Sequence, residues 1–312
     1  MIRLNEKAPI LEAFCGPGGL GYGFSQFFDV TYAIDHSAPA VRTYKANHPE
    51  TQVRKQDIRN MTGIRGDFFG VAGVIGGPPC QGHSAMSTKS RAERMEDPRN
   101  SLGVQFMRLV DEINPHFFVL ENVPSANEDR KQQIVAIAKK LDYDVVSLRL
   151  NSADFGSAQA RHRWIVIGTK GFTNPLPFIQ PARTRKTVRM ALSGITNNWG
   201  FMKSKPETLQ KLSFACPDKW ISISNGYDNA IKLQWDTQAP AITNVKKVYF
   251  VHPTEVRNIT LAEAAALQGF PIDYVWAGTD TEIGQMIANA MPTEFARHLA
   301  AALQQPNSQG CA

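Results

Sequence analysis

Two stretches of this 312-residue chain hold residue types that could do chemistry. The first is Gly76-Gly77-Pro78-Pro79-Cys80-Gln81-Gly82, which closes the hydrophobic run Val71-Ala72-Gly73-Val74-Ile75. That run reads as a buried parallel strand, and a loop just past such a strand lies where open α/β sheets place their ligands. Prolines restrict the backbone there, and glycines let a substrate approach it closely. Cys80 is therefore a candidate nucleophile, the alternative being a buried structural cysteine on a tight turn. The second stretch is Phe14-Cys15-Gly16-Pro17-Gly18-Gly19, between a short strand and a helix. Its glycines allow a tight turn and a close approach to a nucleotide-like ligand, and such a loop serves dinucleotides, adenosyl groups or no ligand at all. Asp35, about 20 residues on, is placed to accept hydrogen bonds from ribose hydroxyls; a helix-capping carboxylate is its plainer reading. Asp57 falls at the end of a third strand, where it could receive an adenine amino group or simply face solvent.

These residues need a frame, and the chain predicts one. Strand and helix signals alternate from the start, which argues for a parallel sheet with helices on both faces. Strands are expected at Pro9–Phe14, Val30–Ile34, Val71–Ile75 and His116–Leu120, the last running into Glu121-Asn122. Helices are expected near Leu20–Phe28, after Ser37 up to Asn47, over Ser101–Ile113 and over Asp129–Leu141, with Ser37 as a cap. Tyr143–Leu150 and Arg163–Thr169 read as a closing antiparallel pair. From residue 172 to 232 no helical period is sustained, and regular character returns at Thr260–Gln268 and Ile283–Ala301. The contrast predicts an irregular insert flanked by two parts of one α/β domain.

Composition fits a soluble globular protein, with 43% apolar and 20% charged residues. No run of 18 apolar residues occurs, and Met1-Ile2-Arg3-Leu4-Asn5-Glu6 lacks the apolar core of a secretory signal, so a cytoplasmic location is expected. Cys15, Cys80, Cys216 and Cys311 are scattered, without metal-ligand or disulfide-framework spacing, and no metal is expected. The net charge of +6 is unevenly placed: Lys170 through Arg257 holds 13 Lys/Arg against 5 Asp/Glu, and the remainder 21 against 23. A near-neutral body with a basic insert is the footprint of a nucleic-acid binder, although a solvated basic face would look the same.

Taken together, the motifs resemble the cytosine-C5 DNA methyltransferases over nearly the whole chain. The glycine loop is similar to their adenosylmethionine loop, Pro78-Pro79-Cys80-Gln81 to the nucleophile motif, and Glu121-Asn122-Val123 to the acidic one. Gln159-Ala160-Arg161-His162-Arg163 resembles their QxRxR pattern. Arg257-Asn258-Ile259-Thr260 with Glu263 and Leu267-Gln268-Gly269-Phe270-Pro271 resembles the segment after the recognition domain, and Asn289-Ala290-Met291-Pro292 the late motif that returns to the cofactor.

The resemblance implies a Rossmann-like S-adenosylmethionine-dependent methyltransferase sheet with a small irregular target-recognition domain. It divides the chain into 1–171 as catalytic domain, 172–234 as recognition domain and 235–312 as a return segment. Its catalytic set is Cys80, Glu121, Arg161 and Arg163: Cys80 adds to C6 of cytosine, Glu121 serves N3 and the exocyclic amine, and Arg163 holds O2. Arg161 is expected as a supporting partner that faces a phosphate. The cofactor set is Phe14, Gly16, Gly18, Gly19, Asp35, Asp57, Ile58, Pro78 and Asn289. The target base must leave the stack to be reached. Gln81 and Ser84 would lie near the vacated base, and the loop from His83 to Asn100 would close over DNA. Arg183, Arg185, Lys186 and Arg189, with Lys203 and Lys205, are the candidates for base or phosphate contact. The expected partners are double-stranded DNA and, functionally, a cognate restriction endonuclease, with no membrane and a monomeric chain.

The sequence departs from the family pattern in three places. Glu12 stands where Asp is more usual, and Ser157-Ala158-Gln159 replaces Val-Pro-Gln. Ala288 replaces a glycine, where its methyl would crowd a cofactor or disfavour a left-handed backbone. Three rival readings fare worse. An RNA methyltransferase of the tRNA branch would carry a Cys-Phe-Thr signature, which is missing. A non-catalytic relative would have lost catalytic residues that are present here, and nothing downstream of the glycine loop supports a nicotinamide dehydrogenase.

Overall fold

The computed structural model describes residues 7–79, 102–171, 176–196, 198–200, 205–217, 219–224, 228–243 and 248–304. Strands β1 (Pro9–Ala13), β2 (Asp29–Asp35), β3 (Gln52–Lys55), β4 (Gly73–Gly76) and β5 (Phe117–Asn122) alternate with helices α1 (Gly19–Phe24), α2 (Ala38–Asn47) and α3 (Leu102–Ile113). Helix α4 (Glu128–Lys140), strand β6 (Asp144–Asn151), the two-residue β7 (Gln159–Ala160) and β8 (His162–Thr169) come next. Seven of these strands form one sheet in the order β3-β2-β1-β4-β5-β8-β6. From β3 to β5 all pairs are parallel, and β8 joins β5 antiparallel. The expected pair near the chain's middle does close the sheet, but β8 lies inside it and β6 at the edge.

The hydrophobic pattern explains this order. Successive residues Val74 and Ile75, Phe118 to Leu120, and Ile165 to Ile167 are all 0% exposed, so both faces of the central strands are covered. The outer strands β3 and β6 alternate with exposed positions. Helix α3 packs Phe106, Met107, Leu109 and Val110 into the core, the i, i+1, i+3, i+4 stripe of a helix with one buried face. Ser37 caps α2 by accepting from Ala40 N, and Asn127 caps α4. Strand order reverses beside β1, since β2 lies on one side of it and β4 on the other. A crevice at such a reversal is the usual ligand position in open α/β sheets.

By packing, one compact unit takes the chain up to Leu150, then His162–Gln180 and the chain from Ala296 onward. The other takes Asn151–Arg161 and Pro181–Phe295. The second is less irregular than its sequence suggests. It holds helices α5 (Val188–Leu192) and α6 (Pro206–Leu212), then strands β9 (Ile221–Ser224), β10 (Asp228–Lys232), β11 (Ala239–Pro240) and β12 (Val248–Val251). Strand β10 pairs antiparallel with β9 and parallel with β12, and β11 pairs with β7. Helices α7 (Leu261–Leu267) and α8 (Asp280–Asn289) come after, each with a Thr–Glu capping box, and α9 spans Thr293–Gln304. Short elements leave no window long enough for a period to register, which is why sequence periodicity misses them. Among the described residues, no helix is long and apolar enough to cross a membrane.

Candidate active site

The described candidate residues of the first unit gather at or near the carboxyl ends of the parallel strands. After β1 the chain turns through Phe14, Gly16 and Gly18, all with positive φ (55°, 53° and 102°). Glycine adopts this freely, but for a phenylalanine it is an outlier of the kind found at ligand sites. A Cβ built on Gly16 meets nothing within 4 Å, so this side of the turn is open. Gly19 is buried at the start of α1.

Asp35 ends β2 and folds back on the same turn. Its Oδ2 accepts from Gly16 N at 2.9 Å and its Oδ1 from Ser37 N at 2.8 Å. A carboxylate offers about four lone-pair sites, so two hydroxyl donors of a ribose still fit. The exposed ring of His36 lies 3.4 Å from Asp35 Oδ1, and that contact raises the His36 pKa. The residues present thus fit an adenosyl group.

Asp57 lies just past β3 and caps the single turn Ile58–Asn60, accepting from Arg59 N at 3.0 Å. The Arg59 guanidinium also grips the carboxylate, at 3.0 Å from Nε, and holds the Asp57 pKa down to about 2. An adenine amino group would have to share this carboxylate with Arg59. Ile58 is buried, and its carbonyl accepts from Arg108 Nη2 on α3 at 2.7 Å. Glu112, one turn further and paired with Arg108, accepts from Ile64 N at 3.2 Å. Sequence reasoning missed this brace. An Arg–Glu pair at i, i+4 is legible in a helix, but not that its target is a turn 50 residues away.

At the next strand ends, Gly76 pairs with Leu120, which sets Gly77 beside Glu121. A Cβ on Gly77 would lie 2.7 Å from Glu121 Oε2, and one on Gly76 would lie 2.5 Å from the Ala13 carbonyl. Both glycines are there for space. Asn122 Nδ2 donates to the Pro78 carbonyl at 3.3 Å, while Asn122 Oδ1 accepts from Val123 N at 2.8 Å. The loop leaving β4 is thereby tied to the end of β5. Glu121 forms an ion pair with Arg163 Nε, the two side chains 14% and 11% exposed, and Arg163 Nη1 donates to the His162 carbonyl at 2.7 Å. Of the expected catalytic set, this brings Glu121 and Arg163 together. Cys80, Gln81, Ser84, the loop 83–100 and Lys203 lie outside the described residues.

Arg161 does something else. It is 3% exposed and donates to the Ile242 carbonyl at 2.7 Å and to the Ala288 carbonyl at 2.8 Å. The expectation that it faces a phosphate is corrected: the guanidinium is turned inward onto backbone. Gln159, fully buried, accepts from Ile242 N at 3.1 Å and donates to Gln268 Oε1 at 2.7 Å and to the Leu267 carbonyl at 3.2 Å. Arg257 makes two hydrogen bonds to Glu263, which also completes the α7 capping box. Ala288 is helical, so its methyl adds no left-handed strain. Asn289 ends α8 exposed, its Oδ1 accepting from Gln285 at 2.8 Å.

Of the basic candidates, Arg183 and Lys205 are exposed and Lys186 is half-buried. Arg185 is paired with Asp154, and Arg189 makes bonds of 2.8 and 3.1 Å to Asp236 while lying over the Trp235 ring. Two of these arginines therefore already have carboxylate partners.

A parallel sheet with a glycine turn at its reversal and an acid–arginine pair at its carboxyl edge defines a Rossmann-like, nucleoside-binding enzyme. Residues 9–305 match the model of the C-5 cytosine-specific DNA methylase family, and the chain belongs to that family. It is a DNA (cytosine-5)-methyltransferase that uses S-adenosylmethionine. Among known proteins it is 32% identical to the Type II methyltransferase M1.HphI of Haemophilus parahaemolyticus, over 96% of this chain and 87% of that one. It is 27% identical to M.DdeI of Desulfomicrobium norvegicum, over 93% and 87%. In fold it is similar to a prophage-encoded Escherichia coli protein described as a DNA modification methyltransferase. The TM-score there is 0.80 at 24% identity, covering 95% of this chain and 98% of the other. It is also similar to the S. pombe Dnmt2 methyltransferase, with a TM-score of 0.72 at 18% identity, covering 96% and 98%.

Proposed function

We infer that methyl transfer proceeds through a covalent bond between Cys80 and C6 of a cytosine flipped out of double-stranded DNA. C5 of cytosine is a poor nucleophile, and a thiolate adding at C6 makes the ring electron-rich. Glu121, an ion-paired carboxylate in the free chain, takes a proton from solvent as the base binds and passes it to N3 as the adduct forms, which takes up the charge that develops on the ring. Arg163 holds O2 of the base and orients Glu121, and the Glu121–Arg163 ion pair beside Gly77 is the observation that carries this reading. Bound S-adenosylmethionine supplies an electrophilic methyl group, held by Phe14, Gly16, Gly18, Gly19, Asp35, Asp57, Ile58, Pro78 and Asn289. C5 takes that methyl as its bond to the sulfonium sulfur breaks, leaving S-adenosylhomocysteine. A solvent base then removes the C5 proton, the C6–sulfur bond breaks to release the Cys80 thiolate, and the N3 proton returns to Glu121. The base must be out of the stack for any of this.

Residues 172–234 serve as the recognition domain and 235–312 as the return segment. Gln81, Ser84, Arg183, Arg185, Lys186 and Arg189 contact a short specific DNA site. The Type II relatives support a restriction–modification or phage self-protection role, with a cognate endonuclease as functional partner. The chain acts as a monomer in the cytoplasm, on nucleoid DNA.

Base-resolution conversion sequencing of plasmid DNA from cells expressing the chain tests the reaction, with Cys80→Ala as control. Modification at one short recurring motif, absent in the control, is the expected result. Modification that persists in Cys80→Ala would refute the nucleophile.

A further inference from the structure

Beneath the glycine turn lies an acid that the sequence marks only as a departure from the family pattern. Glu12 sits in β1, 1% exposed. Its Oε1 accepts from Gly21 N at 3.1 Å and its Oε2 from the hydroxyl of the fully buried Tyr44 at 2.7 Å. Helix α1 begins after Gly18, which is left-handed and offers no side-chain cap. The first amides of a helix have no partner within it, and a Ser, Thr or Asp before the helix usually answers one of them. Here Gly21, the third residue of α1, is answered instead by a carboxyl from the strand below.

The fit is tight. A Cβ on Gly21 would lie 2.1 Å from Glu12 Oε2 and 2.4 Å from the Tyr44 oxygen. Gly21 does not have a positive φ, so glycine is needed there for space and not for conformation. Burial pushes the Glu12 carboxyl up to about 8, against the two hydrogen bonds that lower it, and the nearby Asp35 charge raises it further. At neutral pH the group is largely an uncharged acid, which suits a site where no basic side chain among the described residues pairs with it.

We propose that Glu12, Tyr44 and Gly21 form one matched unit that positions the cofactor-binding turn. Glu12 caps α1 from inside the sheet, Tyr44 fixes the carboxyl, and the bare Gly21 makes room for a Glu where an Asp would leave a gap. Through α1 the unit sets the height of Gly16, Gly18 and Gly19, which makes Glu12 and Tyr44 positioning residues with no contact to substrate. The proposal rests on the reading of the glycine turn as the adenosyl site.

The test is a rescue experiment read by calorimetric binding of S-adenosylhomocysteine, with melting temperatures taken without ligand. Gly21→Ala weakens binding by about tenfold or more, and adding Glu12→Asp, one methylene shorter, recovers most of it because the new Cβ then has room. In steady state, Gly21→Ala raises KM for S-adenosylmethionine with little change in kcat. A double variant no better than Gly21→Ala overturns the proposal. Should Gly21→Ala not fold, Tyr44→Phe decides: weaker binding at an unchanged melting temperature supports the unit, and unchanged binding overturns it. If the unmodified protein does not bind S-adenosylhomocysteine, the site assignment fails first.

Discussion

Two arginines two residues apart, Arg161 and Arg163, contrast the two compact units of this protein. Arg163 lies near the start of the long strand β8 and pairs with Glu121 at the carboxyl edge of the sheet. Arg161 falls between β7 and β8, belongs to the other unit, and holds the Ile242 and Ala288 carbonyls. In an unbroken strand, residues i and i+2 point the same way, and one shared role would be the natural reading. The break between β7 and β8 separates them. In the first unit, the acid and arginine pair with each other at the strand ends; in the second, the buried polar residues of the same motif hold backbone together.

Two strong effects test that division directly. Glu121→Gln should lower the single-turnover methylation rate by about 10²–10⁴-fold, the usual range for a lost acid–base group, with an unchanged denaturation midpoint. Arg161→Ala should do the reverse, destabilising the fold by roughly 2–4 kcal/mol because two buried carbonyls lose their donors. Both are measured on the same preparations, by quenched methyl-transfer assays and urea titrations. An Arg161→Ala protein of normal stability but without activity would place Arg161 on the substrate and dissolve the contrast.

A middle-sized effect refines it through pH. The Glu12 carboxyl moves from an ordinary 4.5 to about 8 on folding. Between those values the folded chain keeps a proton that the unfolded chain has lost, so stability falls as pH rises through the window. The loss is up to about 1.4 kcal/mol per pH unit, and it levels off above pH 8. Glu12→Gln keeps the shape without the titration. Its stability relative to the parent should therefore grow from pH 5 to pH 8 and then stay constant, as read by urea midpoints across that range. A constant difference would show that Glu12 does not titrate there.

The weakest effect belongs to the basic surface of the second unit. Arg189 is exposed and bonded to Asp236. Arg189→Ala should weaken DNA binding severalfold, with a log–log salt slope shallower by about one if it meets a phosphate. Fluorescence anisotropy over a salt series decides this, and an unchanged slope would assign Arg189 to its pairing with Asp236 alone.

Much of the first unit is legible in the sequence because its central strands are buried on both faces and its candidate site residues come directly after strands. The runs before Gly16, Asp35, Cys80 and Glu121 announce strands, and the loop leaving a parallel strand lies at the ligand edge. Element ends shift by a few residues, as at α1, which stops at Phe24 rather than Phe28. The second unit is legible mainly as motifs. Its helices and strands run two to ten residues, too short for periodicity to separate from chance, so its small sheet goes unread.

The alternating α/β plan, the glycine turn, the strand-end acids and the family are all dictated by residue order alone, because each is written in contiguous residues or in motif order. Packing in three dimensions settles which polar side chains face a ligand and which face the protein's own backbone. Gln159 on Leu267, Arg161 on Ala288, Arg108 on Ile58 and Glu12 on Gly21 are the cases in point. Each is a hydrogen bond between residues distant in the chain or on different elements. A buried polar group takes whichever partner packing brings within about 3 Å, and no local pattern of residues records that choice.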